Sequence, residues 1–280
     1  LIADYIEPKR RGRALAVYYV SIAIGSGASL LLGGWLLAVI PATGLQIPVV
    51  GELAAWRVAF LAAAAPGLPL ALILLWTVRE PVRQQDTVRA SKSEQPTVAE
   101  FVSFLRQHPG TFARVLTYPT LLSIIGYGAL AWAPALFERS HGMPPSQSGV
   151  ILGLLVAVAG ATGTLASGFL SDWWVARGVK AARFRVALVG VAIFALPAVL
   201  WPLMPSPPLA FGLLFLTVLG LGLAQSAAPA SIQAVVPNRM RGQAIAVYLL
   251  LAGLMGIGLG PTAVAVVTDY VFKDDSALRY

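Results

Sequence analysis

Cysteine is absent from the sequence, which excludes disulfides and thiolate metal ligation and leaves the redox compartment undetermined. Charge is nearly as scarce, with Asp, Glu, Lys and Arg at 11% of residues, against roughly 25% in soluble domains. The two histidines, His108 and His141, lie in segments between apolar runs. There is no His-Glu-x-x-His, and no Ser/His pair can be placed inside an apolar run. Metalloprotease and intramembrane hydrolase chemistry therefore have no residues to use, and the chain does not read as an enzyme. No Lys lies inside a long apolar run, which removes the Schiff-base lysine that a retinal protein needs.

What remains is apolar, with hydrophobic residues at 58%. Six windows carry no charge: Ala14 to Gly51, Val58 to Val78, Val115 to Phe137, Ser140 to Ser171, Val186 to Asn238 and Gly242 to Thr268. A helix of about 20 apolar residues crosses the hydrocarbon core of a bilayer, so five windows hold one span each. The fifth, 53 residues long, holds two, divided at Pro205-Ser206-Pro207-Pro208. The windows are continuous stretches rich in Leu, Ala and Gly, without the alternation of a transmembrane barrel. They predict an all-α polytopic membrane protein with seven transmembrane helices, each satisfying its own backbone in lipid.

The net charge of +8 is distributed by side. Sixteen of the twenty basic residues fall before the first span or in the loops after the second, fourth and sixth; only Arg57, Arg139, Lys273 and Arg279 fall on the other face. The positive-inside rule places the first group in the cytoplasm and accounts for the basic pI without a nucleic-acid partner. Trp35, Trp56, Trp76, Trp173, Trp174 and Trp201 fall near span ends, where an indole can sit among headgroups. Trp132 lies inside a span.

The sequence opens at Leu1 without a Met, and Leu1-Ile2-Ala3-Asp4-Tyr5 reads like the tail of an earlier helix, so a fragment of a longer bundle is expected. In the cytoplasmic loop from Arg79 to Arg114, a polar stretch over Gln84 to Gln95 precedes Thr97 and Glu100 at capping-box spacing. Val98, Phe101, Val102 and Leu105 then follow at i, i+3, i+4 and i+7, which predicts an interfacial helix. Such a helix serves either as a lever between two halves or as a tether resting on the headgroups.

An internal repeat sets the architecture. Arg11-Gly12-Arg13-Ala14-Leu15-Ala16-Val17-Tyr18 matches Arg241-Gly242-Gln243-Ala244-Ile245-Ala246-Val247-Tyr248 at six of eight positions, 230 residues away. Both copies enter the membrane from the cytoplasmic side, so the repeat is parallel, about an axis along the membrane normal. Six spans of separation fit the fifth and eleventh helices of two six-helix halves.

At this point the chain resembles the major facilitator superfamily of secondary transporters, whose twelve helices form two such halves. Gly168-Phe169-Leu170-Ser171-Asp172-Trp173-Trp174-Val175-Ala176-Arg177-Gly178 fits that family's Gly-x-x-x-Asp-x-x-x-x-Arg loop between helices eight and nine. Trp56-Arg57, Arg79-Glu80-Pro81, Gly126-Tyr127-Gly128 and Val267-Thr268-Asp269-Tyr270 look like its bacterial spinster-like branch, which is associated with amphiphilic lipids. The stretch Gly25-Ser26-Gly27 to Gly33-Gly34 departs from the family by lacking its Gly-Pro pair, which the last span carries as Gly260-Pro261. The resemblance implies helices five and six within residues 1–83, a cytoplasmic linker over 84–112, and helices seven to eleven over 113–280. It implies a transporter of a small amphiphilic or lipid-like solute in the bacterial inner membrane, or else a drug or organic-anion exporter, with no cofactor.

Polar side chains inside the spans are the candidate substrate contacts: Tyr118, Ser123, Tyr127 and Trp132 in the third span, Gln225 and Ser226 in the sixth, and Ser21 and Tyr18 in the first. Each can equally bond to a neighbouring helix or its own backbone. The glycines Gly149, Gly153, Gly160, Gly163, Gly220, Gly222, Gly253, Gly256, Gly258 and Gly260 read as packing surfaces, with a hinge at Gly260-Pro261 or Gly126-x-Gly128 as the sharper alternative. No ionisable residue lies deep in a window, so proton coupling needs a carboxylate in the first four helices; without one, the solute gradient alone drives transport. Partners are then the bilayer, the small-molecule or lipid substrate and, in the first case, protons.

Asp172 ends a span on the face where the first and last spans begin. Its carboxylate can meet Arg11 or Arg13 or a helix N-terminus across the bundle and, with Arg177, latch the cytoplasmic side. Asp172→Asn is accordingly expected to slow uptake into proteoliposomes while membrane insertion stays intact; unchanged uptake kinetics remove the latch.

Overall fold

The computed structural model describes residues 11–41, 45–47, 51–77, 96–274 and 278–279, with side chains from Tyr19 onward except in 45–47. The side chains of Arg11, Arg13 and Tyr18, and all of Arg79-Glu80-Pro81 and of the stretch from Gln84 to Gln95, lie outside the described residues. Among the described residues, seven helices are long and apolar enough to cross a membrane. They fall on the seven expected segments, and the long uncharged window divides into spans over Ala182–Leu203 and Pro207–Val235.

The first span is α1 (Arg11–Val39). A short antiparallel hairpin, Leu45–Ile47 against Gly51–Leu53 with Gln46 opposite Glu52, closes the loop that follows. Helices α2 (Ala55–Ala64) and α3 (Gly67–Thr77) form one span. Pro66 lies at the break between them and has no N–H to offer the Ala62 carbonyl, which interrupts the ladder. Neither piece buries a residue, so both present apolar surface all round.

The amphipathic helix of the loop forms as α4 (Val98–Gln107), and the Thr97 hydroxyl accepts the Glu100 N–H at 3.2 Å as its N-cap. Phe101 is buried among Phe112, Val115, Ile232 and Met240, and Gln243 Nε2 donates to Pro96 O at 2.8 Å. The helix is therefore seated on the cytoplasmic ends of the second group of spans, with Val98 left exposed.

That group consists of α5 (Pro109–His141), α6 (Pro145–Ala176), α7 (Ala182–Leu200) with a 3-10 turn to Leu203, and α8 (Pro207–Val235). The last span, Asn238–Phe272, is α9 (Arg241–Gly253), a π-helical stretch Leu254–Leu259, α10 (Gly260–Val266) and a second π-helical stretch Val267–Phe272. Proline begins α5, α6 and α8 within their first turns, where its missing N–H costs nothing. Gly142, at φ 63°, closes α5 in the left-handed conformation.

Two sequence expectations are corrected. The Gly168-to-Gly178 motif is mostly helix, since α6 continues to Ala176 and only Arg177 and Gly178 reach the turn. The charge of Asp172 marks an end to the apolar window without ending the helix, because nothing before Gly178, at φ 71°, breaks the ladder. Trp201 is 3% exposed and stacks on Phe137 at 6.1 Å; it belongs to the core and not to a headgroup belt. Trp35, Trp56, Trp76 and Trp173 are exposed as expected.

The spans are seamed by small residues. A Cβ on Gly27 of α1 would lie 2.5 Å from Gly153 O of α6, and one on Gly190 of α7 would lie 2.6 Å from Ala224 N of α8. On Gly163 of α6 it would fall on the Leu219 carbonyl of α8, and on Gly260 it would lie 2.6 Å from Ile124 O of α5. Lipid gives helices no hydrophobic reason to associate, so backbones this close supply the dispersion contacts that hold the bundle. Most of the glycines read as packing surfaces do this work; Gly253 and Gly258 have open space instead.

Gly163→Leu forces a side chain onto backbone atoms that cannot retreat, a change that costs about 1–3 kcal/mol or more. We expect it to lower the thermal midpoint of the purified protein, followed by tryptophan fluorescence, by about 3–10 °C. Gly212→Ala, in open space, should leave the midpoint within about 1 °C or raise it slightly.

Candidate functional site

Where α1 meets the second group of spans lies a half-open cavity of about 470 Å³, walled by α1, α5, α6, α8 and α9. Helix α1 contributes Tyr19, Ile22, Ala23 and Ser26, a spacing of i, i+3, i+4 and i+7 that places all four on one face. The Gly27–Gly153 and Ala23–Gly160 contacts press that face against α6, where Gly160 and Thr164 line the wall. None of the lining residues is charged.

The polar side of the cavity is built around Gln225. On α5, Pro119 and Ser123 are one helical turn apart, and the Ser123 hydroxyl donates to Pro119 O at 2.9 Å. From α8, Gln225 Nε2 donates to Ser123 Oγ at 2.8 Å and to Pro119 O at 3.2 Å. Tyr248 of α9 completes the chain, its hydroxyl donating to Gln225 Oε1 at 3.1 Å. The amide orientation follows from the partners: the Pro119 carbonyl can only accept, so the amide nitrogen must face it and the amide oxygen must face Tyr248. Protons therefore run in one direction, from α9 through α8 to α5, and bind three helices. One turn beyond Ser123, Tyr127 also reaches the cavity and leaves its ring about half exposed.

Among the residues picked out from the sequence, Tyr127, Gln225, Ser123 and Ser226 meet at this cavity. Ser226 donates back to Gly222 O at 2.6 Å. Trp132 lies two turns further along α5 against a second, apolar cavity of about 300 Å³, and its Nε1–H donates to Pro261 O at 2.9 Å. That bond braces α5 against α10. Tyr118 sits behind the wall, packed among α7 and α8 residues such as Val186, Leu223 and Phe194; its buried hydroxyl lies beside that of Ser231, which donates to Ala227 O at 2.9 Å.

Tyr19, Ser26, Thr164 and Tyr248 also line the cavity, and sequence reasoning passed over them. For Tyr248 the signal existed: the internal repeat pairs it with Tyr18, which was taken as a candidate. Of the gating set, Asp172 is exposed in the last turns of α6. The Arg177 guanidinium lies over the Trp173 ring at 3.6 Å, a cation–π contact within its own helix end.

The chain is 28% identical over 282 residues to an MFS-type efflux pump of Mycolicibacterium smegmatis, a match covering 98% of this chain and 59% of the pump. It is 26% identical over 193 residues to solute carrier organic anion transporter family member 4A1 of Mus musculus, covering 61% of this chain and 27% of that protein. Among solved structures it superposes on a bacterial homolog to the human lysosomal transporter Spinster, in the inward-facing and unoccupied conformation, with a TM-score of 0.72 and 25% identity. That superposition covers 97% of this chain and 61% of the homolog, so this chain spans about three fifths of the efflux pump and of the homolog, and its match covers about a quarter of the organic anion transporter. The family description that fits residues 1–261 is the Major Facilitator Superfamily. With its seven membrane-length helices in the arrangement of a Spinster homolog, the chain belongs to the Major Facilitator Superfamily and is an integral membrane protein.

Proposed function

We propose that the chain is the helix-five-to-eleven part of a secondary transporter that moves a small, amphiphilic or lipid-like solute by alternating access. The observation that carries this reading is the uncharged cavity of about 470 Å³ between α1 and α5, α6, α8 and α9. Its volume lies in the range of small-molecule pockets, and its walls are apolar apart from the Gln225 chain and a few hydroxyls. An amphiphile needs that balance, an apolar lining for its tail and a few fixed polar groups for its head. The cavity lies where α1, from the first half, meets helices of the second, the interface about which two repeats rock in such transporters. The bacterial plasma membrane is the location this reading entails, with the basic loops in the cytoplasm.

Roles follow for the residues. Tyr127, Gln225, Ser123 and Ser226, with Tyr248, contact the solute; Trp132 and Tyr118 support the helices that carry them. Asp172 and Arg177 act at the cytoplasmic edge, together with Arg11 and Arg13 on α1. Because no lining residue is charged, proton coupling falls to carboxylates elsewhere in the protein.

A drug or organic-anion exporter is the second reading, favoured by the efflux pump matched across 98% of this chain. Uptake of amphiphiles and of small anions into proteoliposomes, with and without a proton gradient, separates the two. We expect saturable amphiphile uptake that lysophospholipid competes away. Gln225→Leu, which removes the acceptor of Tyr248, should raise the half-saturating concentration by about three- to tenfold. Transport of small anions in preference to amphiphiles, or amphiphile uptake indifferent to Gln225→Leu, overturns the first reading.

A further inference from the structure

The two glycines of Gly126-Tyr127-Gly128 meet different neighbours. A Cβ on Gly128 would lie 3.0 Å from Gly260 O and 3.2 Å from Gly260 C of α10, so this glycine is part of a seam between backbones. The three atoms nearest a Cβ on Gly126 instead all belong to one side chain, that of Leu221 on α8: Cδ2 at 2.6 Å, Cδ1 at 3.5 Å and Cγ at 3.6 Å. Backbone atoms cannot retreat from an added methyl group, whereas the end of a leucine can turn about its own bonds. Gly126 therefore does something other than bring two helices together. It leaves Leu221 a place to lie.

Where Leu221 goes when that place is filled follows from its surroundings. It packs against Leu122, Phe194 and Ala224, all buried, and an interior packed to ordinary density has no space to give. Its other border is open, because Leu221 and Gly126 both line the cavity of about 470 Å³. A methyl group at position 126 thus drives the leucine into the cavity. Leu221 precedes Gln225 by four residues on α8, one helical turn, so the narrowing falls beside the polar chain, where the apolar part of a solute held at Gln225 begins.

We propose that Gly126 determines how wide an apolar tail the cavity accepts, acting as a positioning residue through Leu221. This rests on the cavity being the solute site, and it deepens that reading by making the cross-section of the tail the property that is selected. One methylene more or less in an apolar pocket changes discrimination by about tenfold or more, and the added methyl at position 126 acts through a displacement of that size.

The test uses two isomers, octyl glucoside and 2-ethylhexyl glucoside, which share a head and a carbon count and differ in tail width. Each competes against amphiphile uptake into proteoliposomes of the complete protein, below the concentration at which the vesicles leak. The quantity read is the half-inhibitory concentration of the branched isomer divided by that of the straight one. Gly126→Ala should raise this ratio by about fivefold or more. Alanine is a better helix former than glycine, so the variant helix is not weakened. Adding Leu221→Val, which shortens the displaced side chain, should return the ratio to within about twofold of that of the unsubstituted protein. A ratio unmoved by Gly126→Ala, both isomers weakened alike, or a raised ratio that Leu221→Val leaves in place overturns the role of Gly126 while the amphiphile reading stands. If neither isomer competes in the unsubstituted protein, the amphiphile reading falls and the width rule with it.

Discussion

Everything in this bundle depends on how closely its backbones can approach. Inside lipid, burying a leucine against another helix gains little over burying it against an acyl chain, so association rests on dispersion and on the polar contacts that close packing permits. Gly27 against Gly153, Gly190 against Ala224 and Gly260 against Ile124 O are places where a methyl group has no room. The first of these seams has a further effect: it fixes the rotation of α1, and hence places Tyr19 and Ser26 on the wall of the cavity.

The same economy shapes the polar interior. A hydroxyl or amide in hydrocarbon must find a partner, and Ser123, Gln225 and Tyr248 find one another. Their chain ties α5, α8 and α9 to one another by hydrogen bonds. Trp132 shows the alternative outcome, an aromatic whose N–H is consumed by Pro261 and whose ring fills space.

Much of this was legible in the sequence, for physical reasons that can be named. Spans are long, and their signal is the absence of charge, which no local preference masks; all seven were found where expected. The Thr97 cap was readable because its chemistry is local. Helix ends were read less well, since Asp172 marks the edge of an uncharged window and α6 runs on past it. Trp201 is ambiguous in sequence because an indole next to a loop has two uses, and only the stacking on Phe137 decides between them. Within the site, Gln225 and Tyr127 stood out as polar groups in apolar runs. Tyr19 and Thr164 did not, because whether a residue faces a cavity depends on helix rotation, which packing sets. The directions of the hydrogen bonds could not be read at all, as they depend on three helices meeting.

The π-helical stretch Leu254–Leu259 divides the last span into two segments with different facing. Bonding from i to i+5 places an extra residue in the turn, and one residue corresponds to about 100° of azimuth in an ordinary helix. The phase established by Tyr248 toward Gln225 is therefore offset before Pro261 meets Trp132. The two polar anchors of this one span, Tyr248 on Gln225 and Pro261 on Trp132, therefore lie on opposite sides of a wide turn and face different neighbours.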